Sequence, residues 1–130
     1  MKKLLPLLLP LLFLAACELD NDNTPLGTSD FIGVYSCQET SQLYGNSTYN
    51  VQIEAAPNVG EVLIKNFYND NLSIRMKVDG TNLSLPSQTE GGFIIEGDGQ
   101  SDDQAFEFDL TYLVDDGVDI DNCSATFTRQ

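Results

Sequence analysis

Apolar and polar residues alternate with a period of two along most of residues 31–130. The clearest runs cover residues 49–55, 72–78, 106–114 and 123–127. Successive side chains of a β-strand point to opposite faces, so this pattern predicts strands that are buried on one face only. No segment carries a helical stripe of useful length. We therefore expect an all-β domain.

Turn-forming residues separate these runs, and they divide the chain into eight short predicted strands. Asp79-Gly80 is the sharpest hairpin signal, because a type I′ turn needs positive φ at both central positions. The predicted strands lie near residues 31–40, 47–56, 60–67, 71–79, 81–86, 92–97, 105–115 and 121–129. Short sequential strands joined by tight turns predict an antiparallel up-and-down sheet, and closure into a barrel would remove its exposed edges.

Bulky residues dominate the face of this sheet that is predicted to point inward. They are Tyr35, Tyr49, Met76, Phe93, Phe106, Phe108, Tyr112 and Phe127. An eight-stranded barrel is either filled by its side chains or holds one small ligand. The size of these residues predicts a filled interior with at most a shallow mouth.

The first 16 residues have the pattern of a secretory signal peptide. Lys2 and Lys3 precede an apolar stretch, residues 4–16, which would span about 20 Å as a helix, against about 30 Å for a bilayer core. Leu14-Ala15-Ala16-Cys17 resembles a bacterial lipobox. This resemblance implies cleavage before Cys17 and attachment of lipid, including palmitate, to that cysteine.

The residues after the lipobox predict a linker followed by one domain. Residues 17–30 are rich in acid and amide side chains and poor in apolar ones, so we expect a flexible acidic tether. Residues 31–130 form the predicted barrel domain, whose size is that of one small domain.

The two remaining cysteines lie in the first and last predicted strands. Cys37 and Cys123 would reach an oxidising export compartment, where a disulfide is the default expectation. A disulfide needs Cα atoms about 4.4–6.8 Å apart, so it would make the first and last strands close neighbours, as in a closed barrel. A two-sheet sandwich pinned between its layers is the alternative.

The strong negative charge restricts the classes of partner. The chain has 6 basic and 20 acidic residues, and removal of residues 1–16 takes away two lysines, which leaves a formal charge of 4 − 20 = −16. Nucleic-acid binding depends on cationic contacts to phosphate, so no nucleic-acid partner is expected. The charge suits electrostatic steering of a basic partner.

Catalytic chemistry finds little support in the sequence. The chain has no His, which is the usual base of Ser and Cys nucleophiles, so we do not expect an enzyme. One acidic turn is a candidate calcium site, since hard cations bind several oxygen ligands from a flexible loop. Its candidate ligands are Asp115, Asp116, Asp119 and Asp121, although the spacing departs from the EF-hand pattern. No other cofactor is expected.

Four stretches resemble the small lipocalin-like lipoproteins of Bacteroidetes. They are FIGVYSCQET, VLIKNFYND, VDGTNLSLPSQ and YLVDDGVDIDNCSATFTRQ. The resemblance covers most of residues 31–130 and implies a lipid-anchored, lipocalin-like barrel with no assigned chemistry. The acidic residues after Cys17 also resemble the surface-export signal of such lipoproteins.

A second resemblance is to the membrane-bound inhibitors of c-type lysozyme. Tyr35-Ser36-Cys37 and Asn122-Cys123 are similar to the segments that carry the disulfide of that family, whose members are lipid-anchored eight-stranded barrels. The Ser-Gly-x-x-Tyr-like motif with which that family enters the lysozyme cleft is missing here.

The expected function is therefore that of a lipid-anchored envelope lipoprotein. We expect a non-catalytic binding or accessory module for a protein or glycan partner, held at the outer membrane on either the cell surface or the periplasmic face. The alternative is an inhibitor of a secreted hydrolase such as lysozyme.

Lipidation at Cys17 predicts a specific labelling result. In a bacterial host, the wild-type chain should incorporate a palmitate analogue, and Cys17→Ser should abolish incorporation because it removes the acylated sulfur. Cys37→Ser is the matched control and should keep the label. A label retained by Cys17→Ser would contradict the assignment.

Overall fold

Eight consecutive antiparallel strands close into a barrel in the computed structural model, which describes residues 24–130. The strands are β1 (Gly33–Ser41), β2 (Gly45–Ala55), β3 (Glu61–Phe67), β4 (Leu72–Asp79), β5 (Asn82–Glu90), β6 (Phe93–Ser101), β7 (Glu107–Asp115) and β8 (Ile120–Arg129). Each strand pairs with the next, and β8 pairs with β1. The predicted eight-stranded up-and-down barrel is confirmed, and the sandwich is ruled out.

Closure of the barrel is made by backbone pairing between β1 and β8. The antiparallel register runs from Tyr35 opposite Arg129 to Ser41 opposite Cys123. Closure of this kind leaves neither strand with an unpaired edge. The first and last strands are neighbours, as the sequence predicted, although no disulfide joins them.

The hairpin between β4 and β5 lies one residue later than predicted. Asp79 pairs with Asn82, so Gly80 and Thr81 are the two central residues of the turn. Of these two, only Gly80 has a positive φ, +63°. A positive φ at the first central position alone is the type II′ pattern, which also matches the twist of the flanking strands.

Inward-facing side chains fill the barrel along most of its length. Phe108 stacks on Phe127 with ring centroids 4.6 Å apart and meets Tyr35 edge-on at 5.1 Å. The predicted inward position of Phe106 is wrong, because Phe106 is 52 % exposed. It precedes β7, in a turn where Ala105 has a φ of +57° and takes the buried place instead.

One end of the barrel is closed by a short segment before β1. The 3₁₀ helix Thr28–Phe31 buries Phe31, whose ring packs edge-on against Phe108 at 5.7 Å. Residues 28–30 of this helix lie in the predicted tether, residues 17–30, and its buried residue, Phe31, is the first residue of the predicted barrel domain. No helix within residues 24–130 is long and apolar enough to cross a membrane.

Arg129 connects the segments at this closed end by hydrogen bonds. Its Nη1 donates to the carbonyl oxygen of Ile32 at 2.9 Å, and its Nη2 donates to the carbonyl oxygen of Asp30 and to the Tyr35 hydroxyl. The guanidinium carbon also lies 4.8 Å from the centre of the Tyr35 ring, within the range of a cation–π contact. Through Arg129, β8 is therefore hydrogen-bonded both to the 3₁₀ helix segment and to β1.

Two glycines allow β6 and β7 to approach closely. A Cβ atom at Gly97 would lie 2.3 Å from the Thr111 carbonyl oxygen, and one at Gly99 would lie 1.9 Å from the Asp109 carbonyl oxygen. Both distances are shorter than non-bonded contacts allow. The atoms that a Cβ would meet are backbone carbonyl oxygens, which cannot move aside as the end of a flexible side chain can. Glycine is therefore a steric requirement at these positions.

Gly99→Ala should destabilise the barrel, because its methyl group must push two paired strands apart. Overpacking of this kind costs about 2 kcal/mol, or about 10 °C in Tm for a domain of this size. Thermal unfolding followed by circular dichroism measures the shift. Gly27→Ala is the control, since a Cβ there meets nothing within 4 Å. Equal Tm values for the two variants would show that the strands separate without cost.

Candidate functional site

The structure does not bring the predicted disulfide partners together. Cys37 and Cys123 are both buried and both free thiols. In the register between β1 and β8, Cys37 lies opposite Phe127, and Cys123 lies opposite Ser41. The sulfur-bearing residues are therefore offset by four positions (127 − 123), or about 13 Å along the strands. The predicted disulfide is wrong because the register forbids it.

Both thiols are protected from chemistry by their surroundings. Burial raises the pKa of the Cys37 thiol to about 12. Burial, followed by the neighbouring Asp121 charge, raises the pKa of Cys123 as well. The thiolate is the reactive form of cysteine, so neither residue is suited to nucleophilic catalysis.

The four carboxylates predicted to share a calcium ion are not gathered at one point. Asp115 accepts a hydrogen bond from the Gly117 N–H, and Asp116 accepts from the Val118 and Asp119 N–H groups, as turn residues do. Asp121 points into the barrel instead. Within residues 24–130, no group of three or more His, Cys, Asp or Glu side chains is placed to hold a metal ion.

The predicted lipidation site, Cys17, lies outside the described residues.

A small cup opens at the end of the barrel opposite the 3₁₀ helix. It has a volume of about 270 Å³ and lies between the β1–β2 turn and the β3–β4 turn. Its lining consists of Glu39, Ser41, Tyr44, Gly45, Ser47, Tyr68, Asn69 and Asp70. Two larger hollows lie on the outer face of the sheet, but strand alternation turns the Glu39 side chain away from them and into the interior.

Asp121 holds the turns around the cup together. Its side chain is 99 % buried and accepts hydrogen bonds from the Ser41 hydroxyl at 2.5 Å and the Tyr68 hydroxyl at 2.5 Å. Its second oxygen accepts from the Leu43 N–H at 3.1 Å. Burial opposes the charge, but these three donors together outweigh burial and lower the pKa of Asp121.

Glu39 has a different environment. Its side chain is 4 % exposed and lines the cup, and its Oε2 accepts a hydrogen bond from the Tyr112 hydroxyl. The hydroxyl groups of Tyr49 and Ser47 lie beside the same carboxylate. Burial raises the pKa of Glu39, and hydrogen bonds from Tyr112, Tyr49 and Ser47 compensate for only part of that effect.

Tyr49 places a buried hydroxyl beside Glu39 and Cys37. The hydroxyl is buried and has no hydrogen-bond partner of good geometry within residues 24–130. Burial is the main cause of its raised pKa, and the nearby Cys37 and Glu39 add to it. A buried hydroxyl without a partner is uncommon in folded proteins and calls for a functional or structural reason.

The cup has no positive charge of its own. Residues 24–130 contain four basic side chains: Lys65, Arg75, Lys77 and Arg129. None of them lines the cup. Arg75 forms an ion pair with Glu61 at 3.4 Å, and Arg129 makes its hydrogen bonds at the closed end of the barrel. The charge of the cup is therefore uncompensated by the described protein.

Exposed apolar residues lie in or beside the turns at the same end of the barrel as the cup. We call Leu43, Tyr44, Val118 and Ile120 the rim; all four are exposed, Tyr44 to 74 %. The β1–β2 turn lies against the start of β8, where the Gln42 N–H donates to the Asn122 carbonyl oxygen at 3.1 Å. The rim therefore belongs to the same end of the barrel as Glu39. Grouped apolar exposure of this kind is typical of contact surfaces.

Glu39 is not among the site residues predicted above, although the sequence carries a signal for it. Tyr35, Cys37, Glu39 and Ser41 are spaced by two along β1, so the same alternation that buries Tyr35 places Glu39 inside the barrel. A charged residue at an inward position is the signal that was missed. The nearness of Tyr68 and Asp121 to it depends on the closed fold and has no local signal.

Comparisons with known proteins support the fold and nothing finer. No protein-family model matches the chain, and no curated protein matches it. The similar solved structures include two designed or engineered proteins. One, a redesigned β-barrel named b11L5F_LGL, has a TM-score of 0.55 at 16 % identity over 80 % of this chain and 95 % of its own. The other, EF1p2_mFAP2b bound to DFHBI, has a TM-score of 0.55 at 12 % identity over 80 % of this chain and 97 % of its own.

The two buried carboxylates should affect stability in opposite directions. The raised pKa of Glu39 means that the folded state binds its proton more tightly than the unfolded chain, so its contribution to stability is lost as pH rises. Glu39→Gln should therefore stabilise the protein at pH 8, by about 1 kcal/mol, and make little difference near pH 4.

The lowered pKa of Asp121 means that its stabilising contribution is present at neutral pH and is lost as pH falls through the folded-state pKa. Asp121→Asn should cost about 2 kcal/mol at pH 7 and less in acid. Urea unfolding at pH 4, 7 and 8 measures the free energy of unfolding of both variants. Asp119→Asn, at an exposed residue, is the control and should change stability by less than about 0.5 kcal/mol. Destabilisation by Glu39→Gln at pH 8 would contradict this account of Glu39.

Proposed function

We propose that this chain is a lipid-anchored bacterial envelope lipoprotein that acts as a non-catalytic binding or accessory module, with the cup and its rim as the binding surface. The anchor is Cys17 and the membrane is the outer membrane. The observation that carries the proposal is the open cup itself, with the buried Glu39 carboxylate in its lining and exposed apolar residues at the same end of the barrel.

The energetics of Glu39 support a binding role. Burying a carboxylate is unfavourable even with hydrogen-bond donors nearby, and the raised pKa of Glu39 reflects that cost. Residues that lower stability while facing an opening in the surface are typical of functional sites.

The geometry of the barrel also suits an anchored binding module. The chain enters β1 at the closed end, beside the 3₁₀ helix Thr28–Phe31, and β1 runs from there to the cup. Its nine residues separate the two ends by about 30 Å. An anchor at Cys17 would therefore attach to the closed end and leave the cup facing away from the membrane, where a protein or glycan partner has access.

A non-catalytic role agrees with the side chains available. The chain contains no His, and its two buried thiols have raised pKa values. The cup therefore offers carboxylates and hydroxyls without an activated nucleophile. These groups bind and orient a partner through hydrogen bonds and charge.

Inhibition of a secreted hydrolase such as lysozyme is the second candidate function. The exposed Leu43 and Tyr44 at the tip of a short turn favour it, since such a tip can enter an enzyme cleft. The acidic surface, with 17 acidic and four basic residues in 24–130, would steer the module toward a basic enzyme. Release of dye from labelled cell walls by lysozyme, with and without the protein, separates this function from the first.

The binding proposal predicts that capture of a partner depends on the cup end. The full-length chain, crosslinked in its native envelope and purified, should retain a partner at a constant ratio. Tyr44→Asp should reduce that ratio about tenfold or more, because it places a charge in the centre of the contact.

Val59→Asp is the matched control, since Val59 is equally apolar and fully exposed but lies in the β2–β3 turn at the closed end. It should leave capture unchanged. Equal loss in the two variants, or no partner at all in the wild type, would count against the cup as a binding surface.

A further inference from the structure

The backbone pairing between β4 and β5 stops early. It joins residues 77–79 to residues 82–84 in three pairs, whereas β1 and β8 share seven pairs. Both strands continue past these pairs toward the cup end. We call the stretch between residues 72–76 of β4 and residues 85–90 of β5 the seam. No residue pair of the described structure joins the two strands there, so the seam is not held by a backbone ladder.

A proline explains why the pairing stops. Hydrogen-bonded pairs recur at every second residue of an antiparallel ladder, so the pair that follows Lys77 with Ser84 would be Arg75 with Pro86. Pro86 has no N–H group to donate to the Arg75 carbonyl oxygen. The register between β5 and β6 also shifts at this point, so residues 86–87 pair with neither neighbouring strand in the described structure. This segment is therefore a weak point of the barrel wall.

The side-chain amide of Gln88 occupies the gap between the strands. Its Oε1 accepts a hydrogen bond from the Arg75 N–H at 2.8 Å. Its Nε2 donates to the carbonyl oxygens of Arg75 and Pro86, both at 2.9 Å. One amide thus takes the place of the backbone groups that would otherwise pair directly. A glutamine side chain loses rotamer freedom when it is held in this way, so the bridge is weaker than the ladder that it replaces.

At the cup end, side-chain packing closes the seam. Leu72 lies against Gly91 in the β5–β6 turn, so closely that a Cβ atom at Gly91 would be 2.7 Å from the Leu72 Cδ2. Tyr68 in the β3–β4 turn packs edge-on against Phe93 at the start of β6, with ring centroids 5.8 Å apart. Because Tyr68 also lines the cup, one wall of the cup depends on a contact across the seam.

The β3–β4 turn carries backbone strain. Four of its residues have positive φ, between +51° and +67°: Asn66, Tyr68, Asn69 and Asn71. Asparagine tolerates this region, but a bulky residue such as Tyr68 is rarely found there. Strain of this kind persists only where surrounding contacts enforce it, and it is typical of switch regions. For Tyr68 these contacts are Phe93, across the seam, and the Asp121 carboxylate.

We infer that the seam is a lateral opening of the barrel, that the Gln88 amide holds it closed, and that its opening moves the Tyr68 wall of the cup. The β3–β4 turn moves away from the β5–β6 turn, and its backbone strain is released. The β1–β8 ladder, on the opposite side of the ring of strands, stays closed. The seam borders the cup of the proposed function, but the inference concerns the motion of the wall and does not depend on a partner.

Hydrogen exchange of the full-length chain in mild detergent tests the wild-type protein without any substitution. The N–H groups of Arg75 and Lys77 face β5, so local opening of the seam releases them. They should exchange at least about a hundredfold faster than the N–H groups of the β1–β8 ladder, which are released only by unfolding of the whole barrel. Equal exchange rates in the two regions would overturn the inference.

Gln88→Leu keeps the approximate size of the side chain and removes the amide. It should speed exchange of the Lys77 N–H, to which Gln88 is not bonded, and should speed oxidation of the buried Met76 by hydrogen peroxide about tenfold. Mass spectrometry measures the oxidation. Gln100→Leu is the matched control, because the Gln100 amide bonds the Asn82 side chain where the β5–β6 ladder is complete. It should change Met76 oxidation less than about twofold.

Maleimide labelling of the buried Cys37 and Cys123 shows whether Gln88→Leu acts on the whole barrel. These thiols lie on β1 and β8, away from the seam, so their labelling rates should stay within about twofold of the wild-type rates. Equal acceleration of thiol labelling and of Met76 oxidation would show a general loss of stability and would overturn the inference.

The NMR signals of the Tyr68 ring connect the seam to the cup. Gln88→Leu should increase their exchange broadening on the microsecond to millisecond timescale, whereas the signals of the buried Tyr35 ring at the closed end should not change. Unchanged broadening at Tyr68 would overturn the inference. Capture of a partner that depends on Tyr44, together with a seam that does not open, would overturn the inference and leave the proposed binding function in place.

Discussion

The register between β1 and β8 is the constraint on which the rest of the structure depends. Pairing Tyr35 with Arg129 and Ser41 with Cys123 closes the barrel by backbone hydrogen bonds. The same register places the Arg129 guanidinium over the Tyr35 ring at one end and the Asp121 carboxylate beside the Ser41 hydroxyl at the other. It also keeps the two buried thiols apart. The barrel therefore obtains from hydrogen bonding the closure that the sequence had suggested would come from sulfur, and a closed ladder leaves no exposed edge to aggregate.

The two ends of the barrel use buried polar groups in different ways. At the closed end, Arg129 meets several carbonyl oxygens and a hydroxyl, so its hydrogen bonds and those of its partners are satisfied. At the open end, Asp121 accepts hydrogen bonds from three donors, which outweigh its burial and lower its pKa. For Glu39 burial dominates, and its pKa is raised despite the hydroxyl groups beside it. A fully hydrogen-bonded polar network makes a structure rigid, and Asp121 is the centre of such a network.

The separation of these ends connects the fold to its proposed role. The 3₁₀ helix and Arg129 fix the segment that leads toward the N-terminus, and the strands carry the binding surface to the opposite end. The filled interior between them, with Phe108 stacked on Phe127, keeps the cup shallow. A shallow opening with exposed apolar residues at the same end of the barrel is typical of contact surfaces.

The sequence by itself determined the strands and their faces, because alternation along a strand is a local property that each residue shares with its neighbours. It predicted eight strands and the up-and-down barrel, and the same alternation placed Glu39 inside. The disulfide between Cys37 and Cys123 was wrong, and the calcium ligands were not brought together, because both depend on where distant segments meet. Only the tertiary structure decided the register of β1 against β8, and with it the cup. Strand order follows from short local connections, but a register between the two ends of the chain is set by packing of the whole core, which no stretch of sequence contains.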